Sequence, residues 1–144
     1  MRLFTIGFTK KSAEEFFTRL QKAGVQRVVN VRLNNTSQIA GFAKARDLKY
    51  FLRAIAGIDY VYIPEFAPTQ DIVDDFKKRK GSWAEYEDKF ADLMAKRRMA
   101  DTARNGLREN DCLLCSEHTP EHCHRRLVAE HLQGQLGNIE VVHL

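Results

Sequence analysis

One short segment, Cys112–Arg126, holds most of the side chains in this sequence that could do chemistry. It contains all three cysteines of the chain, with histidine, glutamate and arginine residues between and after them. A cysteine thiolate is a nucleophile and a metal ligand, and a neighbouring histidine or carboxylate can accept its proton. The candidate catalytic residues are therefore Glu117, Cys123, His124 and Cys115.

The roles of these four residues follow from the element that each is expected to occupy. Cys123 is predicted in the first turn of a helix, where unpaired amides and the helix dipole favour an anion and can lower a thiol pKa. We assign it as the nucleophile or redox thiol, with Cys115 as its resolving partner if the two sulfurs meet. Glu117 and His124 are the acid/base candidates. A structural explanation stays open, in which Cys115 is a small buried apolar side chain and His124 only caps a loop.

A zinc site is an alternative interpretation of the same segment, because cysteines and histidines crowd into it. Two geometric arguments oppose a shared metal ion. Cys112 and Cys115 would point to opposite faces of a strand. Cys123 and His124 would diverge by about 100° as neighbours on a helix. We therefore assign no metal ligand and no cofactor, and we keep a structural zinc site as an alternative.

The elements that must position these residues alternate between strands and helices. Helices are predicted after the capping residues Ser12, Thr69 and Ser82 and at Thr119-Pro120, with two helical segments between the third and fourth strands. The alternation is typical of a three-layer, Rossmann-like α/β fold with a mostly parallel sheet of about five strands flanked by helices. The predicted strands are Leu3 to Ile6, Val25 to Val31, Tyr60 to Ile63, Asp111 to Cys115 and Ile139 to His143.

Ligands of parallel sheets gather at the carboxyl ends of the strands, so the polar residues that follow each strand predict a ligand site. Arg32 is the most informative of them, because an arginine at the end of a buried strand must find a carboxylate or a ligand anion. The candidate ligand-binding residues are Arg32, Arg125, Lys10, Thr9, Asn30, Asn35 and Glu65.

Composition limits the class of protein. The 144 residues are 44% hydrophobic and 29% charged, which predicts a single α/β domain over residues 1–144. An odd number of cysteines and the lack of a signal-peptide pattern favour a cytoplasmic protein with reduced thiols. No apolar run in the sequence is long enough for a membrane helix. Dinucleotide-binding, P-loop and His-Glu-x-x-His motifs are absent from the sequence. The sequence does not specify an oligomeric state.

A net charge of +4 and a pI of about 9.1 favour an anionic partner, either a small molecule or nucleic acid. Two basic clusters, Lys77 to Lys80 and Lys96 to Arg98, could contact phosphates or could be solvated helix ends. We predict a small enzyme that acts on a phosphate-bearing substrate related to nucleotides or nucleic acid. A non-catalytic nucleic-acid-binding module and a structural zinc-site protein are the alternatives, and the sequence does not decide whether the protein is an enzyme.

Three motifs stand out along the chain: they are Thr5-Ile6-Gly7, Val29-Asn30-Val31-Arg32, and Leu113-Leu114-Cys115-Ser116-Glu117 with Pro120, Cys123, His124 and Arg125. In these motifs the chain resembles the domain-of-unknown-function family 488, and the resemblance covers nearly the whole chain. The resemblance implies no assigned activity. The chain departs from the usual pattern at Phe8-Thr9-Lys10, where many relatives carry a His-Ser pair, and at Asn30, where Asp is usual.

Overall fold

The computed structural model describes residues 1–33, 41–117 and 119–144 of the chain. Within them, five strands form one parallel sheet in the order β3-β2-β4-β1-β5. The predicted Rossmann-like fold with a parallel sheet of about five strands is confirmed. The strands are β1 (Arg2–Gly7), β2 (Arg27–Asn30), β3 (Asp59–Tyr62), β4 (Asp111–Cys115) and β5 (Glu140–His143).

Helices cover both faces of the sheet and complete three layers. In the described ranges, none of these helices has the length and apolar character needed to span a membrane. Two short 3-10 turns, Gly41–Ala43 and Pro64–Phe66, and one π-helical turn, Leu52–Ala56, connect the larger elements. The α-helices are α1 (Ala13–Ala23), α2 (Ala45–Phe51), α3 (Gln70–Lys77), α4 (Trp83–Lys96), α5 (Met99–Gly106) and α6 (His124–Leu136).

Each face of the sheet has its own apolar core, because successive strand residues point to opposite sides. Cys112 and Leu114 of β4 pack with α1 and α2, whereas Leu113 between them packs with α4, α5 and α6. All three side chains are fully buried. The central strand is thus apolar on both faces, as buried parallel strands usually are.

Local signals in the sequence set the ends of several helices. Ser12, Thr69 and Ser82 are N-caps, and each hydroxyl oxygen accepts a hydrogen bond of 3.1 to 3.3 Å from the amide three residues later. Gly24 ends α1 with a φ of +81°, a left-handed conformation that glycine adopts without steric cost. The predictions of the three N-caps are confirmed.

Two helix predictions differ from the structure. Three helices, not two, connect β3 to β4, because Arg98 adopts a left-handed conformation that separates α4 from α5. The last helix begins at His124 rather than at Thr119-Pro120, because the Cys123 amide donates to the Pro120 carbonyl and closes a turn first. Cys123 is therefore the extended N-cap of α6 and not a residue of its first turn.

The sheet brings the ends of three strands together. β4 lies between β2 and β1, with Cys115 in register with Gly7, and the Val31 amide donates to the Leu114 carbonyl at 3.1 Å. The neighbours β1 and β4 continue into helices on opposite faces, α1 and α6. Such a change of direction opens a crevice at the carboxyl edge of the sheet.

Candidate functional site

A cavity of about 470 Å³ opens at this carboxyl edge. Its size falls within the range of small-molecule sites. The residues that line it come from the ends of β2 and β4, from α3, from the start of α4 and from the loop before α6. The lining residues are Arg32, Leu33, Pro68, Gln70, Val73, Phe76, Lys77, Trp83, Tyr86, Cys115, Ser116, Glu117, His122, Cys123 and His124.

Two of the three cysteines meet at this cavity. Cys115 ends β4 and Cys123 caps α6, and the structure joins their sulfurs in a disulfide with Cα atoms 7.2 Å apart. Both residues are 2% exposed. The bond differs from the reduced thiols expected from the sequence, and it brings together the pair proposed as nucleophile and resolving thiol. Cys112 is a free thiol in the opposite core, and burial raises its pKa.

His124 lies beside the disulfide with both ring nitrogens engaged. Its Nε2 atom lies 2.5 Å from the Val31 carbonyl, and its Nδ1 atom lies 3.6 Å from the Cys115 sulfur. A carbonyl can only accept, so Nε2 carries the proton in the neutral ring and Nδ1 presents its lone pair to the sulfur. Burial lowers the pKa of His124 to about 4. The imidazole is therefore neutral at physiological pH, so it is a weak proton acceptor whose Nδ1 lone pair is available to a metal ion.

Arg32 lines the same cavity without a counter-charge. It is 3% exposed, its Nε atom donates to the Asn30 amide oxygen at 3.0 Å, and its guanidinium carbon lies 5.3 Å from the centre of the Phe8 ring. No carboxylate pairs with it among the described residues, and its buried NH2 group meets no hydrogen-bond partner there. Residues 34–40 and 118 add no aspartate or glutamate. The pKa of Arg32 is lowered, mainly because the guanidinium is buried.

Arg125 holds the loop between the two cysteines against β1. Its NH1 group donates to the Glu117 carbonyl at 2.8 Å, and its Nε group donates to the Thr5 hydroxyl at 3.3 Å. Gly7 makes room for this contact, because a Cβ atom there would lie 1.5 Å from the Glu117 oxygen. Arg125 is fully buried, and burial lowers its pKa to about 10. Its main contacts are with the protein, so it positions the loop.

Comparison with protein-family models gives one match, to "Domain of unknown function DUF488", over residues 12–132. The chain belongs to the DUF488 family. The matched range includes Arg32 and both cysteines of the disulfide, and Gly7 lies before it. Searches of curated proteins and of solved structures found no match.

The remaining predicted site residues of this DUF488 chain lie at different distances from the cavity. Thr9 binds the cysteine loop, since its amide donates to the Ser116 carbonyl at 3.0 Å, and Lys10 is exposed in a turn with a φ of 60°. Glu117 lines the cavity, and its carboxylate lies 3.6 Å from the Lys77 amine. Glu65 is exposed, and its carbonyl accepts a hydrogen bond from Arg97. Asn35 lies outside the described residues.

The two basic clusters of the DUF488 chain are engaged with neighbouring groups. Arg79 forms an ion pair with Asp75 on α3, and Lys78 lies 3.7 Å from Asp74. Arg97 donates to two carbonyls near Pro64–Phe66, and Arg98 pairs with an aspartate of α5 at 2.9 Å. These contacts fit the interpretation of solvated helix ends better than an open phosphate-binding surface.

Sequence analysis missed the aromatic wall of the cavity. The Trp83 ring stacks on Tyr86 with centroids 4.4 Å apart and on His122 with centroids 4.9 Å apart, and Phe76 packs edge-on against Trp83. Tyr86 is buried. One signal was available, since Trp83 is the only tryptophan and stands directly after the Ser82 cap.

Proposed function

We propose that this chain is an enzyme that binds a phosphate-bearing, nucleotide-like substrate in the cavity and reduces it with the Cys115–Cys123 pair. The observation that carries this proposal is the buried, unneutralised guanidinium of Arg32 in the wall of the cavity that the cysteine pair also lines.

Arg32 supplies the anion-binding part of the site. A buried charge without a partner is unfavourable by several kcal/mol, whereas a phosphate would accept two parallel hydrogen bonds from the guanidinium. The Asn30 amide already fixes the Nε side of that group. The buried NH2 group is thus the donor left for a ligand anion.

The aromatic wall gives the reason for a nucleotide rather than phosphate alone. His122 is exposed at the cavity and stacks on Trp83 with one face of its ring, so a base can stack on the other face, which contributes about 1–3 kcal/mol per base. The buried Trp83 Nε1 donor meets no hydrogen-bond partner among the described residues. A polar acceptor atom of the substrate that reaches this donor would satisfy it while the phosphate binds Arg32.

The cysteine pair carries the chemistry in two steps. The Cys123 thiolate, favoured by the N-terminus of α6, attacks a disulfide bond of the substrate, which expels one thiolate and leaves a mixed disulfide. Cys115 then attacks the Cys123 sulfur, closes the bond seen in the structure and expels the second thiolate. The two cysteine protons pass to the two expelled thiolates, with Glu117 as a proton carrier at the cavity wall. The net reaction is a two-electron reduction of a substrate disulfide to two thiols, with oxidation of the cysteine pair to its disulfide. A dithiol reductant must reduce the pair again by the same exchange chemistry before the next turnover.

Ligand binding is tested by calorimetry with pyrophosphate, adenosine monophosphate and adenosine. We expect the nucleotide to bind more tightly than either other compound and Arg32→Gln to weaken nucleotide binding at least about tenfold. Arg53→Gln is the matched control, because Arg53 is exposed and pairs only with Asp59 in the described structure. Nucleotide binding that is equal in wild type and Arg32→Gln would overturn the assignment of Arg32. Salt-sensitive binding of nucleic acid, unchanged in Arg32→Gln, would instead favour the non-catalytic module.

The thiol chemistry is tested with a chromogenic aromatic disulfide that carries carboxylates. Reduced wild-type protein should release two thiolates per chain in a fast phase, because Cys115 resolves the adduct on Cys123. Cys115→Ser should release one thiolate and retain the mixed disulfide on Cys123, as mass spectrometry would show. A fast phase that survives in Cys123→Ser contradicts the assigned order of attack.

A further inference from the structure

Three side chains that bind soft metal ions meet at the cavity. The sulfurs of Cys115 and Cys123 and a ring nitrogen of His124 all lie within 4.8 Å of one another, and each residue is buried. The sequence argument against a metal ion placed Cys123 and His124 on one helix. In the structure Cys123 is an extended N-cap, so the two side chains converge instead of diverging.

The histidine is held in the orientation that a metal ligand needs. Its Nε2–H group is directed to the Val31 carbonyl, at 2.5 Å, and its Nδ1 lone pair faces the Cys115 sulfur. Metal-binding histidines usually donate their second ring N–H to a carbonyl or carboxylate in this way, which fixes the ring and its tautomer. The Val31 carbonyl is supplied by the chain just after β2, next to β4 in the sheet.

The backbone around the two cysteines has room for an ion between the sulfurs. The Cα atoms lie 7.2 Å apart, beyond the roughly 4.4–6.8 Å that is usual for cysteine pairs that bond directly. Two thiolates on one tetrahedral zinc ion are separated by about 3.8 Å, given a Zn–S distance of about 2.3 Å. Reduction of the disulfide allows the sulfurs to move apart by rotation of their side chains.

We propose that the reduced protein binds one Zn²⁺ ion through the sulfurs of Cys115 and Cys123 and the Nδ1 atom of His124. Two cysteines and one histidine suit zinc, and a fourth position faces the cavity that all three residues line. The inference goes beyond the proposed function: it uses the same cysteine pair but needs neither substrate nor Arg32. Exchange with a disulfide oxidant, which is reduced to two thiols, joins the two sulfurs and removes both thiolate ligands, so the oxidised protein releases the ion.

The first experiment titrates Co²⁺ and then Zn²⁺ into the reduced protein without any phosphate compound. We expect one Co²⁺ per chain with intense tetrahedral d–d bands and thiolate-to-cobalt charge transfer, displaced by one Zn²⁺. Zinc should also protect Cys115 and Cys123, and not Cys112, against alkylation relative to the metal-free reduced protein. The oxidised protein should bind neither ion. Reduced wild-type protein that shows no thiolate-to-cobalt band overturns the proposal, and this result does not depend on the folding of any variant.

Matched variants assign the ligands. Cys123→Ser and His124→Gln should each lower zinc affinity at least about tenfold, whereas Cys112→Ala should leave it unchanged because Cys112 lies in the opposite core. Zinc affinity that is unchanged in Cys123→Ser rejects the site. Arg32→Gln separates the two proposals, since it should lose nucleotide binding and keep zinc. A protein that binds zinc but not nucleotide would contradict only the proposed function.

Discussion

Arg27 and Arg32 are two buried arginines, the first at the start of β2 and the second just after its end. They differ in whether a carboxylate neutralises the guanidinium. Arg27 forms two hydrogen bonds to the Asp111 carboxylate, at 2.6 and 3.0 Å, and a third to the Gly106 carbonyl. Arg32 meets the neutral Asn30 amide and the Phe8 ring. Among the described residues, the chain neutralises Arg27 at the amino edge of the sheet and pairs no carboxylate with Arg32 at the carboxyl edge, where the buried Arg125 likewise forms no ion pair. The ion pair at the first edge stabilises the fold, whereas the second edge is the one to which we assign a ligand in the proposed function.

The largest expected effect comes from breaking the neutralised pair with Arg27→Met. The side chain of Asp111 is 1% exposed, so the variant leaves a buried carboxylate without its guanidinium. Removal of one partner from such a pair lowers the free energy of unfolding by about 3–5 kcal/mol. Urea denaturation measures the change, with Arg53→Met as the exposed control, for which we expect less than about 1 kcal/mol. If Arg27→Met lowers the free energy of unfolding by less than about 1 kcal/mol, the Arg27–Asp111 pair does not stabilise the amino edge and the contrast with Arg32 is wrong.

Acid should destabilise the protein through His124, a buried group of the carboxyl edge that has no carboxylate partner in the described structure. Burial lowers the pKa of His124 to about 4, whereas an unfolded histidine titrates near 6.5. Between these values the unfolded chain binds a proton at His124 that the folded protein does not. The free energy of unfolding therefore decreases as the pH falls from 6.5 towards 4. The loss reaches about 3 kcal/mol. We expect it as the difference between the pH–stability curves of wild type and His124→Gln, measured on metal-free oxidised protein. Parallel curves would show that His124 is not held neutral.

Asn30→Asp should make the carboxyl edge resemble the amino edge. The new carboxylate would lie at the position of the amide oxygen, 3.0 Å from the Arg32 Nε atom, and would neutralise the guanidinium. We expect adenosine monophosphate to bind about tenfold more weakly, a loss of about 1.4 kcal/mol, in the calorimetric assay. Asn105→Asp makes the same charge change at an exposed position of α5 and should leave binding unchanged. Tighter nucleotide binding by Asn30→Asp would argue against an anion at Arg32.

The smallest effect is expected from Arg32→Met in the absence of ligand. This substitution removes a buried charge that has no carboxylate partner in the described structure, and it also removes the hydrogen bond to Asn30 and the contact with the Phe8 ring. Because the relief and the losses oppose each other, the free energy of unfolding should change by less than about 1 kcal/mol or rise. The same urea denaturation series gives the comparison with Arg27→Met. A loss as large as that of Arg27→Met would mean that Arg32 is a structural residue.

The sequence predicts features that short-range chemistry determines. The hydroxyl caps at Ser12, Thr69 and Ser82 need only the amide three residues later, and the βα alternation needs only periodicity. The α4–α5 break at Arg98 has no comparable signal, since a left-handed arginine is set by packing. The start of α6 was misplaced because Pro120 fits a turn as well as a first helical turn.

The sequence predicted some of the residues that line the cavity and did not predict their geometry. Arg32, Cys115, Cys123 and His124 stand out by type and by their places after strands, and all four line the cavity. The contact between His124 and the Val31 carbonyl depends on the pairing of β2 with β4, which sequence periodicity does not specify. The aromatic wall depends on how the helices after β3 fold back over the sheet, and no local pattern determines that packing.

The contacts that assemble the site join parts of the chain that are far apart in sequence. His124 meets Val31 across 93 residues, and Arg125 meets Thr5 across 120. Partial unfolding of β1, β2, β4 or α6 would therefore destroy the binding site together with the central sheet. Because a ligand that binds only the intact fold stabilises it in proportion to the logarithm of its concentration, binding at this edge should protect the amides of the central strands from hydrogen exchange. The central strands would then report occupancy of the site even though most of their residues never touch the ligand.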